Sequence, residues 1–205
     1  MKKLKIFTLL LCITASLLMA DSQATKELKP SVLKVEFSLS SQQQELIAEK
    51  FIDINGVFLK VYDKKGNLFW QSMPLGASDK LFTIDGKAVA LEARDITGNG
   101  DMELITAAFF EPANSALYVF SFDATSKLFI PIDFRHEKPE FTRDFMVADV
   151  FRPNGEDLIF ESDQELKTLG KMYSDDGNEP IDAYYSFKYT NDAFEYTGRK
   201  PVESE

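Results

Sequence analysis

One stretch of the chain, residues 95–103, carries oxygen-bearing side chains at the spacing of a calcium-binding loop. Its sequence is Asp-Ile-Thr-Gly-Asn-Gly-Asp-Met-Glu. Calcium takes roughly 6–8 oxygen ligands, and a tight loop supplies them from alternate residues. Gly100, at loop position 6, permits the positive φ of a sharp turn. The predicted ligands, at positions 1, 3, 5, 7 and 9, are Asp95, Thr97, Asn99, Asp101 through its backbone carbonyl, and Glu103.

The flanks of this loop decide between kinds of calcium site. An EF-hand needs a glutamate at position 12, where this chain has Thr106, and it needs helices on both sides. The flanking runs, residues 89–93 and 104–109, are instead typical of strands. The sequence therefore predicts one calcium loop within a β-hairpin. The alternative is an Asx-turn, in which the Asp and Asn side chains bond only to their own backbone.

A second loop of related sequence begins 54 residues later, at Asp149. Phe151 and Pro153 stand there at positions that need liganding side chains. We therefore expect Asp149, Asn154 and Asp157 to make hydrogen bonds only.

The elements that must position these loops read mostly as antiparallel β-strands. From Val57 onward, short runs rich in Phe, Tyr, Val and Ile are broken by Asp, Asn, Gly and Ser clusters. Each loop lies between two apolar runs and is followed by a hairpin, which gives repeat units at roughly 88–132 and 144–198, preceded by a lone hairpin at 57–71. Four strands per unit and a period near 50 residues are typical of propeller blades.

Two units and a hairpin are too few for a closed ring of roughly 4–8 blades. The predicted fold is therefore all-β and mainly antiparallel, with blade-like four-stranded repeats that form a partial propeller or a sandwich. An ordinary antiparallel sandwich with chance similarity between its meanders is the alternative. Two stretches leave room for helix: residues 41–51, as a short helix or an irregular link, and residues 161–171, as a helical turn.

The loop at 95–103 resembles the calcium loop of FG-GAP/VCBS-type repeats, the blades of integrin-α-like propellers, whose loops run D-x-[DN]-x-D-G-x-x-D-[LI]. The resemblance implies blade-like units, calcium held between the first two strands, and an extracellular adhesion or binding role. Thr97 replaces Asp or Asn, and Glu103 replaces Asp. Fewer carboxylates imply weaker binding, in the range of about 10⁻⁴–10⁻³ M seen in extracellular modules.

The chain also resembles, more weakly, small periplasmic inhibitors of invertebrate-type lysozyme and related immunity proteins. Those are exported β proteins of similar length, some with an acidic calcium-type loop. An acidic inhibitor suits a basic lysozyme by electrostatic complementarity. The sequence contains no distinctive inhibitory-loop motif, so this function is the alternative to a calcium-binding module that binds a protein or glycan.

The N-terminus reads as a secretory signal peptide, residues 1–24. Lys2, Lys3 and Lys5 precede an apolar run of about 15 residues, which is shorter than the ~20 that span a bilayer. Cleavage after Ala20 and cleavage after Ala24 both fit the small-residue exit. The alternative is an N-terminal membrane anchor.

The domain that follows, residues 25–198, is expected in the periplasm or outside the cell, with a flexible tail at 199–205. It is expected to have no membrane span after cleavage. A lipoprotein is disfavoured, because Leu11 before Cys12 is not small. Since Cys12 leaves with the signal, no disulfide is expected in the mature chain.

The charge of the chain restricts its partners. The full chain has 23 basic and 33 acidic residues and a net charge of −10; cleavage after Ala20 removes three lysines and leaves −13. Such a chain repels phosphate backbones, so nucleic-acid binding is not expected. Protein or glycan partners and divalent cations remain.

Catalytic signals are weak, and the chain is predicted not to be an enzyme. His136 is the only histidine, and there is no G-x-S-x-G, HExxH, P-loop or GxGxxG motif. A carboxylate pair for glycoside hydrolysis stays open, because many acidic pairs exist and none stands out. Trp70 is expected to pack in the core, with a place on a binding face as the alternative.

Overall fold

A computed structural model describes residues 33–110, 115–138, 142–144, 146–147, 157–162, 164–173 and 180–202. Within these ranges the chain forms strands and one short 3-10 turn at Ser40–Gln42. The strands are β1 (Leu33–Leu39), β2 (Gln44–Asp53), β3 (Gly56–Asp63), β4 (Leu68–Gln71), β5 (Ser78–Lys80), β6 (Phe82–Ile84), β7 (Lys87–Val89), β8 (Leu91–Arg94), β9 (Glu103–Phe109), β10 (Ser115–Asp123), β11 (Leu128–Pro131), β12 (Asp133–Arg135), β13 (Met146–Val147), β14 (Leu158–Ser162), β15 (Glu165–Tyr173), β16 (Pro180–Thr190) and β17 (Ala193–Pro201). The all-β, mainly antiparallel fold class is confirmed.

Three four-stranded antiparallel meanders organise these strands. The first sheet has the order β1-β2-β3-β4; the central sheet contains β8-β9-β10-β11; the third sheet contains β14-β15-β16-β17. Short strands extend two of the sheets. β5 also pairs with β9, β13 pairs with β10, and β12 pairs in parallel with β17. β6 and β7 form a separate hairpin.

The central sheet is buried on both faces, because successive side chains of a strand point to opposite sides. On β10, Tyr118 and Phe120 belong to one buried cluster and Leu117 and Val119 to the other. The first cluster lies between the central and first sheets, and the second lies between the central and third sheets. The three larger sheets of the described residues are therefore stacked around two hydrophobic cores.

The sequence patterns identified most strands correctly. The hairpins β3–β4, β10–β11 and β16–β17 all form where predicted. The helix considered for residues 41–51 is wrong beyond the 3-10 turn, because β2 begins at Gln44. The helical turn considered for residues 161–171 is also wrong. β15 begins at Glu165, pairs with β16 along its length and pairs with β14 over residues 165–168, so tertiary pairing decides its conformation.

Two further features differ from the expected organisation. β17 continues to Pro201, so residues 199–201 pair with β16 instead of starting a flexible tail. β13 lies in the apolar run before the second loop, inside the second predicted repeat unit, yet it adds to the central sheet at β10. The predicted signal peptide lies outside the described residues. No helix in the described ranges is long and apolar enough to cross a membrane.

Candidate functional site

The predicted calcium loop, residues 95–103 and hereafter the acidic loop, joins two neighbouring strands of the central sheet. Arg94 at the end of β8 pairs with Glu103 at the start of β9. Gly98 and Gly100 have φ values of 76° and 86°, so the predicted positive φ at Gly100 is confirmed. The loop therefore has the compact form that the sequence predicts.

Asp95 and Asn99 fold the loop on itself. The two carboxylate oxygens of Asp95 accept the backbone N–H groups of Gly98 (2.8 Å) and Gly100 (2.9 Å). The Asn99 side-chain oxygen accepts the N–H of Asp101 at 2.7 Å. These are Asx-type bonds, the alternative that the sequence left open for this loop. Because a carboxylate has about four lone-pair sites, Asp95 keeps capacity for a further partner.

Glu103 is fully buried and surrounded by donors. One of its oxygens accepts the N–H groups of Ile96 (2.8 Å) and Thr97 (3.2 Å), and the other accepts the hydroxyls of Thr97 (3.1 Å) and Ser121 (3.2 Å). Burial raises the pKa of this carboxyl above its usual value, and the four hydrogen bonds oppose that rise. With two donors on each oxygen, Glu103 has no acceptor capacity left for a metal.

The acidic loop also contacts the two neighbouring sheets. The Asp101 carboxylate accepts the backbone N–H (2.8 Å) and the hydroxyl of Ser41, just after β1, and Asp101 forms an isolated bridge with Leu39. On the other side, the Gln164 side chain donates to the Thr97 carbonyl at 3.1 Å. The loop therefore links all three sheets.

The five predicted ligands thus divide among different hydrogen-bond partners. In the described ranges, no three His, Cys, Asp or Glu side chains, Asp95, Asp101 and Glu103 included, are grouped to hold a metal ion. A calcium ion bound through Glu103 would have to replace its protein donors. Calcium binding at the acidic loop stays a prediction.

The second loop is described only at its end. Asp149 and Asn154 lie outside the described residues. Asp157 accepts the Thr83 N–H at 2.8 Å, as expected of a hydrogen-bonding residue, and it also lies 3.9 Å from the Lys80 ammonium. This carboxylate therefore makes an ion pair in addition to the predicted hydrogen bonds.

An aromatic cleft of about 300 Å³ opens between β4 and the β10–β11 hairpin. It is lined by residues that include Trp70, Pro74, Tyr118, Phe129, Pro131 and Asp144. The Trp70 ring lies 5.4 Å from both Phe120 and Phe129. Trp70 is partly buried against the first core, as expected, and it also lines the cleft; a place on a binding face stays a prediction.

Tyr118 is a buried residue that lines this cleft. Its hydroxyl donates to the Leu75 carbonyl at 2.7 Å, and its ring stacks on Phe120 at 6.1 Å. Burial, with a smaller contribution from the negative charge of Asp144, raises the pKa of Tyr118 to about 12. The tyrosine is therefore neutral at physiological pH, and the exposed Asp144 supplies the charge at this position.

A larger open cleft, of about 610 Å³, lies beside β1 and β2. Glu36 and Glu45 line it, and Glu45 forms an ion pair with Lys64 at the same cleft. Among the described residues that line it, Phe37 is the one aromatic side chain. The aromatic cleft is therefore the better candidate for specific recognition, since pockets that bind ligands are mostly apolar with a few placed polar groups.

Two buried lysines join the sheets, and the sequence reasoning missed both. Lys50 of β2 is 1% exposed; its ammonium forms an ion pair with Asp79 and donates to the carbonyls of Ala107 (2.6 Å) and Lys80 (3.1 Å). Lys80, 7% exposed, pairs with Asp157 from the opposite face of β5. Burial lowers the pKa of both ammonium groups, and Asp79 and Asp157 oppose the shift. The sequence held one sign of the burial of Lys50. It lies two residues after Ala48 and four after Leu46, so alternation places it on the core face of β2.

His136 lies after β12, and its ring stacks on Tyr196 at 4.7 Å. The backbone N–H of Lys138 approaches its Nδ1 at 3.4 Å. These contacts place the histidine beside β12, the edge strand of the third sheet, whereas the acidic loop belongs to the central sheet.

Comparisons with family models, with curated proteins and with solved structures found no match to this chain. The class that the fold defines is an all-β protein of three stacked sheets.

Proposed function

We propose that this chain is an exported, non-catalytic binding module that holds a partner protein at the aromatic cleft. The observation that carries the proposal is the cleft itself: an open, aromatic-walled recess with the exposed Asp144 at its mouth. Aromatic side chains bring large apolar area to an interface at little conformational cost, and they are enriched where binding energy is concentrated.

The surroundings of the cleft support a protein partner. Met73, which is 81% exposed, lines the cleft and adds apolar surface at its rim. The sequence leaves protein and glycan partners open. The strong negative charge of the chain attracts a basic protein, whereas a neutral glycan gains nothing from it.

The proposal is tested by placing a photo-crosslinking residue at Met73 in the cells that produce the chain. We expect a discrete crosslinked product from Met73, because this side chain lies at the rim of the cleft. The matched control is the same residue at Asn191, an exposed turn position between β16 and β17. Products of equal yield at both positions, or none at Met73, would remove the cleft as the binding surface.

The alternative function, inhibition of a lysozyme-like enzyme, is a special case of protein binding. It is supported by the acidic charge of the chain, since a basic lytic enzyme has the complementary charge. Stoichiometric inhibition of such an enzyme, reduced by Asp144→Lys, is the expected result. Full enzyme activity in the presence of excess protein would reject this alternative.

A further inference from the structure

The rings of the aromatic cleft are fixed by packing against one another. Phe129 lies 5.4 Å from both Trp70 and Phe122, and Tyr118 stacks on Phe120 with an angle of 15° between the planes. The face of an aromatic ring carries negative electrostatic potential and attracts a cation within about 6 Å of its centroid. Because these rings are already ordered, a ligand that enters the cleft does not have to order them.

A carboxylate lies at the same opening. Asp144 is exposed, lines the cleft, and is close enough to Tyr118 for its charge to affect that hydroxyl. An aromatic wall with one carboxylate at its mouth favours a ligand that is both long and positively charged: the apolar stem contacts the rings and the charged end pairs with the carboxylate. A purely apolar ligand would not use Asp144.

The size of the cleft limits what enters it. At about 300 Å³ it lies at the lower end of the range for small-molecule pockets. One long side chain is therefore a better fit than a large ligand. The net charge of −10 favours a partner whose surface is basic.

We propose that the aromatic cleft binds an arginine or lysine side chain of a basic partner protein, with the cation held between the aromatic wall at Trp70 and the carboxylate of Asp144. This inference rests on the proposed function and names the chemical group by which the partner is recognised. The planar guanidinium of arginine also stacks on aromatic faces, so arginine is the preferred probe.

The test uses Trp70 as the reporter, since it is the only tryptophan in the chain. The protein is titrated with acetyl-Ala-Arg-Ala amide and, separately, with the same peptide carrying citrulline, the neutral isostere of arginine. We expect a saturable change in Trp70 fluorescence with the arginine peptide and at least about tenfold weaker binding of the citrulline peptide. Added salt is expected to weaken the arginine peptide more than the citrulline peptide.

Two charge-matched variants locate the effect. Asp144→Asn is expected to remove most of the preference for arginine, whereas Asp192→Asn, which removes the same charge from the exposed turn between β16 and β17, is expected to preserve it. Equal affinity for the two peptides, equal loss in the two variants, or no saturable response to the arginine peptide would each overturn the inference. A crosslink at Met73 combined with any of these results would leave the binding module standing without its cationic ligand, so the two failures are distinguishable.

Discussion

The two buried faces of the central sheet are closed in different ways. The face towards the third sheet is covered at its margin by the β6–β7 hairpin and by β12, whose Phe82, Ile84 and Phe134 are buried in the second core. The face towards the first sheet reaches the surface between β4 and β11, where Trp70 is only partly covered. Among the described residues, the margin towards the third sheet is therefore covered by strands, whereas the margin towards the first sheet carries an accessible aromatic cleft.

The polar contacts across the two faces differ as well. Lys50 reaches from the first sheet to a carboxylate and two carbonyls, whereas Lys80 has one carboxylate of the third sheet at 3.9 Å. The acidic loop shows the same difference between the two faces. Towards the first sheet, the Asp101 carboxylate accepts two bonds from Ser41; towards the third sheet, the Gln164 amide donates one bond to Thr97. The face that is open at the cleft is thus the face with the stronger polar links.

The largest expected effect is at Lys50, which tests whether the two faces really differ in strength. Lys50→Met leaves Asp79 and two carbonyls without the ammonium and is expected to lower the free energy of unfolding by about 3–5 kcal/mol. Lys80→Met is expected to cost less than half of that, because Asp157 keeps its bond from Thr83. Urea denaturation measures both values. Equal losses of stability in the two variants would show that the two faces do not differ in this way. Adding Asp79→Leu to Lys50→Met is expected to restore part of the stability, because the buried carboxylate is then removed as well.

The links made by the acidic loop are expected to show a smaller difference of the same sign. Asp101→Ala removes two hydrogen bonds to a charged acceptor and is expected to cost about 2 kcal/mol, whereas Gln164→Ala removes one neutral bond at an exposed residue and is expected to cost about 0.5–1 kcal/mol. Thermal unfolding followed by circular dichroism distinguishes them. A larger loss of stability for Gln164→Ala than for Asp101→Ala would contradict the statement that the face towards the first sheet has the stronger polar links.

Calcium, if it binds the acidic loop, is expected to strengthen both faces together, since the loop contacts both neighbouring sheets. With a dissociation constant of about 1 mM, 10 mM calcium adds about 1.4 kcal/mol to the free energy of unfolding. The melting temperature is measured in EDTA, in calcium and in magnesium, with Asp95→Ala as the control. A calcium-specific rise that Asp95→Ala abolishes supports the predicted site. The absence of a shift would leave the loop as the hydrogen-bonded turn described above.

The smallest effect is the pH dependence contributed by Glu103. Because burial raises its pKa in the folded protein, the folded state binds a proton more strongly than the unfolded chain does. Stability from this group is therefore expected to rise as the pH falls through the folded-state pKa, and to be fully present below the unfolded pKa of about 4.5. Glu103→Gln keeps an acceptor for Ile96 and Thr97 but cannot titrate. The difference in stability between wild type and this variant should change over that window; a constant difference would contradict the raised pKa.

Local sequence patterns predicted the parts of the fold that depend on neighbouring residues. Alternation and turn residues located the hairpins, and Asp95, Asn99 and Gly100 located a tight loop. Features that depend on distant pairs were not predictable in this way. Asp101 meets Ser41 across 60 residues, and the cleft exists only because β4 and β11 come together. Alternation places Lys50 on the core face of β2, but only the fold shows that carbonyls of β5 and β9 accept bonds from its ammonium.

The position of β12 has a consequence for the order in which the chain folds. β12 directly follows β11 of the central sheet, yet its partner is β17, the last strand in the described ranges, with Asp133 opposite Ala193. Phe134 stacks on Phe194 at 5.0 Å and meets Phe187 edge-on at 5.2 Å, so its burial also waits for the final two strands. A chain that emerges N-terminus first can complete the first sheet early but leaves this phenylalanine in water until β16 and β17 have been synthesised. Exposed apolar surface of this kind promotes aggregation and chaperone binding. Truncation within β17 is therefore expected to leave a partly folded chain whose third sheet is incomplete.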